Sequence, residues 1–254
     1  MNNIWVPVTI ASVVEGDGKR QALPRLLHRT AAELGVDLRT PKPPFRIPRS
    51  KLVTSGGIER AIDAQASEVT GAGGILVLFD ADDDCPAQLG PQLLTRARAA
   101  RSDKRVAVVL AKREFEAWFL AALPSLAGQY GFPDDLPTLD NPETPRDCKG
   151  RLTKARGHGL RYSPTVDQAP LASIFDMKMA RSNLPSFDKV LPGCGLVAWR
   201  AVHARQLAGQ GGATPGAGTR VQRAAKLPGP VGPGRTRRLG RRVVFGWARH
   251  QDGD

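Results

Sequence analysis

Acidic residues stand directly after two predicted strands, where they could hold a metal ion. Glu15 follows the apolar run 4–14, and Asp80 and Asp82 follow the apolar run 75–79. Both runs are typical of buried strands, and the carboxyl ends of parallel strands meet at one edge of a sheet. Carboxylates gathered there repel one another unless a cation is present, and Mg²⁺ prefers such oxygen ligands. Two ions about 3.5–4 Å apart could stabilise the attacking and leaving oxygens of a phosphodiester.

The acidic run at 80–84 also has a simpler interpretation. It holds four acids in five positions, and Pro86 after it is a favoured first residue of a helix. Taken alone, the run favours a solvated turn that caps this helix. The Glu-Gly turn at 15–16, set on an alternating α/β pattern, shifts the balance to a metal site. The segment 16–19 is not a phosphate loop, because it lacks the first glycine of that motif and has Arg20 where Ser or Thr should stand.

Two further pairs of charged residues lie near the starts of predicted helices. Glu114 and Glu116 favour the helix dipole and could also supply an outer metal ligand. For Glu114, dipole complementarity is the better explanation. Lys149, which follows Asp147, could place a cation near the charge of a transition state. A plain loop that leads into a helix explains this second pair equally well.

Four basic residues are candidates for contacts with a nucleic-acid backbone close to the metal. Lys19 and Arg20 follow the Glu-Gly turn, and Arg46 and Arg49 lie in the proline-rich segment 40–49. We expect this segment to be an extended basic loop, because proline disfavours helix at the residue before it. Each of the four is also compatible with an ordinary surface charge. We assign no role to the four histidines.

The periodicity of apolar residues predicts the elements that position these side chains. Strand and helix alternate three times, which predicts an α/β fold with a mostly parallel sheet flanked by helices. We expect residues 1–123 to form the metal-binding core and 124–190 to form a small helical extension of the same domain. The predicted strands are 4–14, 75–79 and 105–110, and the predicted helices are 19–34, 50–69, 86–101, 114–123, 149–155 and 170–181.

The last part of the chain differs from the rest in composition. Residues 191–254 carry 11 Lys and Arg against 2 Asp and Glu, a net charge of +9, whereas residues 1–190 carry 26 against 22. The segment is rich in Gly, Pro and Arg, and we expect it to be a disordered tail or the product of a frameshift. In the second case its charge says nothing about nucleic acid.

Cysteine usage and hydropathy predict where the protein works. The three cysteines form no CxxC pair, which fits a reducing compartment. The chain contains no apolar run of the roughly 18 residues needed to span a bilayer. We therefore expect a cytoplasmic protein without a membrane partner.

Six short segments follow one another along the chain: V-E-G-D-G at 14–18, D-A-D-D-D-C-P at 80–86, R-E-F-E-A-W-F-L at 113–120, R-D-C-K-G at 146–150, D-Q at 167–168 and S-F-D-K at 186–189. In this order they resemble the bacterial domain-of-unknown-function family 4276, a Toprim-like group related to nucleases of the OLD (overcoming lysogenization defect) type. The resemblance covers about residues 5–189.

This resemblance implies a Toprim-like fold that binds Mg²⁺ or Mn²⁺ through Glu15, Asp80 and Asp82. It also implies that Glu116 and Lys149 are the additional acid and lysine of the nuclease branch. Members are similar to partners of ATPases in mobile-element defence, so an ATPase partner is implied as well. The chain departs from the family pattern after Lys189, where it continues for 65 residues instead of ending.

Two functional hypotheses follow. The first is a Mg²⁺-dependent nuclease, or a related phosphodiester-processing enzyme, that acts on DNA or RNA and has its catalytic groups among the five residues just named. The second is a non-catalytic Toprim-like module that binds a partner ATPase or nucleic acid. The oligomeric state cannot be predicted from this sequence.

Overall fold

Three mainly apolar segments form the central strands of a parallel sheet. A computed structural model describes residues 7–144, 146–157, 159–190 and 193–194. The strands are β1 (Val8–Val14), β4 (Gly73–Asp80) and β5 (Val106–Ala111), and nearly all of their residues are buried. Such runs are typical of strands that are covered on both faces. Residues 4–6 of the predicted first strand lie outside the described residues.

The sheet has the order β2-β1-β4-β5, and every strand pairing among the described residues is parallel. Two short strands, β2 (Leu38–Arg39) and β3 (Phe45–Arg46), pair with the beginning and the end of β1. In the centre, Val14 lies opposite Leu78 and Asp80 lies opposite Ala111. This register brings the carboxyl ends of β1, β4 and β5 to one edge of the sheet.

Helices cover both faces of the sheet. The predicted helix 50–69 is divided in two, because Gly56 adopts a left-handed conformation (φ 72°) and Gly57 packs against the carbonyls of the preceding turn. The helices are α1 (Asp17–Leu34), α2 (Arg49–Val53), α3 (Gly57–Ala66), α4 (Pro86–Ala100), α5 (Ala117–Ala121), α6 (Cys148–Ala155), α7 (Pro164–Ile174), α8 (Met177–Asn183) and α9 (Pro185–Asp188), with a 3₁₀ turn at Leu123–Leu126.

Alternate residues of the strands enter two separate hydrophobic clusters, as the two-residue period of a strand requires. On one face, Leu76 and Leu78 pack with α1, α5 and the helices that follow α5. On the other face, Val77 and Phe79 pack with α2, α3 and α4. The prediction of an α/β fold with a mostly parallel sheet flanked by helices is confirmed.

An aromatic cluster joins the predicted helical extension to the sheet. Trp118 lies 4.7 Å from Phe115 and 4.9 Å from Phe187, measured between ring centroids. Phe175 contacts Phe119 at 5.3 Å and Phe187 at 5.5 Å. These edge-to-face and tilted contacts are favourable geometries for aromatic rings. Residues after 123 therefore share the core of the residues before it.

Some expectations fall on parts of the chain that are not described. Apart from Gly193 and Cys194, the tail at 191–254 lies outside the described residues. Within the part that is described, no helix is long and apolar enough to cross a membrane.

Candidate metal centre

Glu15 and Asp80 meet at the carboxyl edge of the sheet because their strands are neighbours. Asp80 is the last residue of β4, and Glu15 follows the last residue of β1. The backbone N–H of Asp80 donates to Glu15 Oε1 at 2.7 Å, and the N–H of Phe115 donates to Asp80 Oδ1 at 2.7 Å. Each carboxylate is thus oriented by a backbone donor from the adjoining strand or from the segment after β5.

The ammonium of Lys19 lies between these two carboxylates. Its Nζ is 2.8 Å from Glu15 Oε1 and 2.7 Å from Asp80 Oδ2. Lys19 is the third residue of α1 and is 5% exposed, so these contacts are shielded from water. The ring of Phe115 lies 5.7 Å from the same nitrogen. A cation is therefore held by two strand-end carboxylates, and it belongs to the protein's own lysine.

The charges of this cluster are not balanced. Burial by itself lowers the pKa of Lys19, but attraction to Asp80 and then to Glu15 outweighs it, so the pKa lies above its ordinary value of 10.5. Burial raises the pKa of Asp80 above 3.8; the Lys19 charge opposes this rise, and the Glu15 charge adds to it. Two carboxylates face one ammonium, so one further positive charge would stabilise their ionised forms.

Asp82 lies at the rim of the cluster, on a loop with unusual backbone geometry. Both Asp82 (φ 52°) and Arg113 (φ 64°) adopt positive φ, and the N–H of Asp82 donates to the Arg113 carbonyl at 3.1 Å. Positive φ is uncommon outside glycine and gathers at functional sites. The Asp82 side chain is 55% exposed and lies 3.3 Å from the Arg49 guanidinium. Its carboxylate is accessible to solvent next to the buried pair.

Glu116 lies deeper in the molecule than its sequence pattern suggests. The predicted helix 114–123 begins only at α5, and Glu116 immediately before it is fully buried. Its Oε1 accepts from the Tyr162 hydroxyl at 3.2 Å and from Gln168 Nε2 at 2.8 Å. Its Oε2 has no hydrogen-bond donor among the described residues. A buried carboxylate oxygen without a donor is energetically costly.

Lys149 lies at the other side of Glu116. Its Nζ contacts Glu114 Oε1 at 2.7 Å and stands 3.8 Å from Glu116 Oε2. The backbone N–H of Cys148 also donates to Glu114, at 3.2 Å. Burial lowers the pKa of Lys149, but attraction to Glu116 and to Glu114 outweighs it. The pKa of Lys149 therefore lies above its ordinary value of 10.5. The structure therefore brings Glu116 and Lys149 together, with Glu114 as the group that holds the lysine.

The four predicted nucleic-acid contacts occupy different environments. Lys19 is buried, so in this structure its ammonium faces the acids and not the surface. Arg49 donates to the carbonyls of Asp80 and Ala81 and forms an ion pair with Asp84, and so fixes the acidic loop. Arg46 is 45% exposed and forms an ion pair with the exposed Asp17 at 3.2 Å. Arg20 is exposed as well. These last two lie at the surface.

An open cavity of about 340 Å³ adjoins Asp82. Its other lining residues are Asp83, Arg113, Glu114 and Arg146. Both arginines form ion pairs with Asp83, at 2.9 and 3.0 Å. The cavity thus joins an accessible carboxylate to two guanidinium groups, which are good phosphate ligands.

Sequence reasoning missed Tyr162, Gln168 and the cavity arginines as members of the site. Gln168 carried a signal, because the D-Q pair at 167–168 is one of the six resembling segments. Tyr162 had none, since it precedes α7 in an irregular segment.

The residues present fit a divalent cation in their chemistry, although they are not arranged as a finished site. Among the described residues, no three His, Cys, Asp or Glu side chains are grouped so that they could hold a metal ion. Lys19 lies where Glu15 and Asp80 converge, and an ion at that point would have to replace its ammonium. The donors are carboxylate oxygens, which suit Mg²⁺. Glu116 Oε2, which accepts no hydrogen bond from the described residues, would be stabilised by a nearby cation.

Comparison with known proteins gives a single finding. No curated protein and no solved structure matches the chain. Residues 14–193 match the family described as "Domain of unknown function (DUF4276)". The matched range contains all the predicted site residues, from Glu15 to Lys149, and also Tyr162 and Gln168. Because the match covers more than half of the chain, the protein belongs to the DUF4276 family.

Proposed function

We propose that this protein is a Mg²⁺- or Mn²⁺-dependent nuclease, or a related phosphodiester-processing enzyme, with a Toprim-like metal centre. The observation that carries the proposal is the convergence of Glu15 and Asp80 on a single positive charge, at 2.8 and 2.7 Å. These carboxylates stand at the carboxyl edge of a parallel sheet, where α/β proteins bind their ligands. The unbalanced negative charge around them favours a second cation.

The residues have separate tasks in this proposal. Glu15, Asp80 and Asp82 hold the ion, which when bound would polarise a phosphate oxygen. Arg113 and Arg146 line the adjoining cavity and bind the phosphate groups of DNA or RNA.

Glu116 is fully buried, whereas Lys149 is partly exposed. Glu116 supplies a further carboxylate oxygen, and Lys149, 3.8 Å from it, supplies a positive charge. The surface arginines Arg20 and Arg46 contact the nucleic-acid backbone farther from the reacting group.

An activity assay with an isosteric variant tests the proposal. The protein is incubated with plasmid DNA, single-stranded DNA and RNA in Mg²⁺ or Mn²⁺, and the products are separated by electrophoresis. We expect the wild type to cleave at least one substrate. In Asp80→Asn the cleavage rate should fall by about 100-fold or more, because the ion that Asp80 would hold stabilises the charge of the transition state by several kcal/mol. Asp63→Asn, a 60% exposed acid on α3, is the matched control and should cleave like the wild type.

The variant also permits a clear negative result. Asp80→Asn keeps the shape of the side chain and its acceptor for Phe115 N–H, so circular dichroism should show an unchanged fold. Cleavage that persists in the folded variant would reject this site. Absence of cleavage by the wild type on all three substrates would reject the nuclease.

A second candidate function is a non-catalytic Toprim-like module that binds a partner ATPase. The observation that favours it is the Lys19 ammonium, which satisfies Glu15 and Asp80 without any metal. Isothermal calorimetry with millimolar Mg²⁺ and Mn²⁺ separates the two candidates. Absence of binding supports the module, whereas binding that Glu15→Gln abolishes supports the enzyme.

A further inference from the structure

The two oxygens of the buried Glu116 carboxylate have very different surroundings. Oε1 accepts two hydrogen bonds, from the Tyr162 hydroxyl at 3.2 Å and from Gln168 Nε2 at 2.8 Å. Oε2 accepts none from the described residues and faces Lys149 Nζ at 3.8 Å, beyond hydrogen-bonding distance. The whole residue is 0% exposed. One oxygen is therefore fixed, while the other is left bare in a dry environment.

The position of Gln168 is set by the close approach of α7 to α1. Gln168 is 2% exposed, and its Oε1 is turned toward Gly18, where even a methyl group would collide with it. A carboxylate cannot donate to an amide oxygen, so the nitrogen of Gln168 must face Glu116. Gly18 thus gives Gln168 the space from which its NH₂ group reaches Oε1.

The bare oxygen faces the charged groups of the metal centre. Lys149 lies on that side and is tied to Glu114 at 2.7 Å. The charge of Glu116 also acts on Asp80 and Lys19, and it raises the pKa of both. Glu114, which pairs with Lys149, also lines the cavity beside Asp82, so the pocket of Glu116 adjoins the rim of the metal centre.

We propose that Tyr162 and Gln168 are positioning residues that hold Glu116 Oε1 so that Oε2 stays free as a ligand for the divalent ion. This inference rests on the proposed metal centre and adds to it two residues outside the strand ends. Partners of this kind orient metal ligands and commonly change metal affinity by about 10–100-fold. A merely structural role, in which the two side chains only join α5 to α7, would change stability without acting through Glu116.

Binding of Mn²⁺ alone tests the inference without reference to activity. Free Mn²⁺ is measured by electron paramagnetic resonance in titrations of the full chain. We expect Tyr162→Phe and Gln168→Met each to weaken binding by about 10-fold. Tyr130→Phe is the matched control, because Tyr130 is the other tyrosine of the sequence and is 51% exposed. It should bind Mn²⁺ like the wild type.

A double-mutant cycle separates positioning from simple loss of stability. In a Glu116→Gln background, Tyr162→Phe should have no further effect on Mn²⁺ affinity, since the group on which it acts no longer carries the charge. Persistence of the 10-fold effect in that background would overturn the inference, as would unchanged binding by a folded Tyr162→Phe.

The outcomes also distinguish this inference from the proposed function. If the wild type binds Mn²⁺ and the positioning variants bind it equally well, the inference alone fails. If the variants bind Mn²⁺ more weakly but the wild type cleaves no nucleic acid, the inference holds and the proposed nuclease fails. If the wild type binds no Mn²⁺ at millimolar concentration, both fail.

Discussion

Two ion clusters of the molecule differ in how completely their charges are satisfied. In the acidic cluster, Lys19 lies between Glu15 and Asp80 and is buried. Between α3 and α4, Arg96 binds Glu59 through two parallel contacts of 2.8 Å. Arg96 also donates to the carbonyls at 53 and 54, which end α2.

The pKa directions express this difference. The hydrogen bond from Arg96 lowers the pKa of Glu59, and the same bond raises that of Arg96, so each partner stabilises the charged form of the other. In the acidic cluster, by contrast, burial raises the pKa of Asp80 in spite of Lys19. In the Arg96–Glu59 pair, the charges of both partners are satisfied by each other. Those of the acidic cluster are not, and this imbalance is typical of a functional site.

Among the variants that test this difference between the two clusters, removal of Lys19 should change the free energy of unfolding most. Lys19→Met leaves two carboxylates without their cation, and we expect the free energy of unfolding to fall by about 3 kcal/mol in the absence of metal. Mg²⁺ should restore more stability in the variant than in the wild type, because it no longer has to replace an ammonium. Urea unfolding with and without 10 mM Mg²⁺ measures both effects.

Lys42→Met is the control for this variant. Lys42 pairs with Glu68 at 2.6 Å, but its side chain is 66% exposed, so its loss should cost no more than about 0.5 kcal/mol. A Lys19→Met protein that is stabilised less by Mg²⁺ than the wild type would show that Lys19 supports the ion instead of competing with it.

The next largest effect should come from the turn that follows Glu15. Gly18→Ala places a methyl group against Gln168 and within 2.5 Å of the Pro164 carbonyl oxygen, where α1 meets α7. We expect a loss of about 2 kcal/mol, which is typical of overpacking. Gly16→Ala is the paired control, since nothing lies within 4 Å of the added carbon, and it should change the melting temperature little. Equal effects of the two substitutions would contradict the close packing of α1 on α7.

The smallest effect should come from the completed pair. Glu59→Gln should lower the free energy of unfolding by about 1 kcal/mol at pH 7. Because the folded-state pKa of Glu59 lies below its ordinary 4.5, this contribution is present above that value and is lost as pH falls through the folded pKa. Urea unfolding of both proteins at pH 7 and pH 3 should show the difference shrinking. A constant difference would mean that the charge of Glu59 contributes nothing.

The sequence predicted the strands and the strand-end acids because local patterns determine them. The runs that became β4 and β5 are continuously apolar and the run before Glu15 is mainly apolar, and Glu15 and Asp80 stand at the ends of their runs. The end of α1 was also predictable, since Gly35 takes the left-handed conformation (φ 61°) that glycine favours.

The surroundings of the acids depend on contacts far apart in sequence, and these could not be predicted. The sequence around Lys19 is compatible with an ordinary surface charge. Its burial depends on β4, which brings Asp80 to it from 61 residues away in the sequence. The sequence predicts Glu116 as an outer metal ligand near the start of a helix, yet it is fully buried and accepts hydrogen bonds from Tyr162 and Gln168 of a distant segment. Helical periodicity reports which face of one element is apolar, and it contains no information on what covers the remaining face.

The extensive packing of α1 against α7 has a consequence for synthesis on the ribosome. The donors to Glu116 come from residues 162 and 168, so its pocket cannot close until most of the domain has left the exit tunnel. Domains generally fold as units during synthesis. The nascent chain therefore carries Glu15, Asp80 and Glu116 for some time without their final neighbours, and a product truncated before α7 would contain every predicted metal ligand but would lack the pocket that orients Glu116.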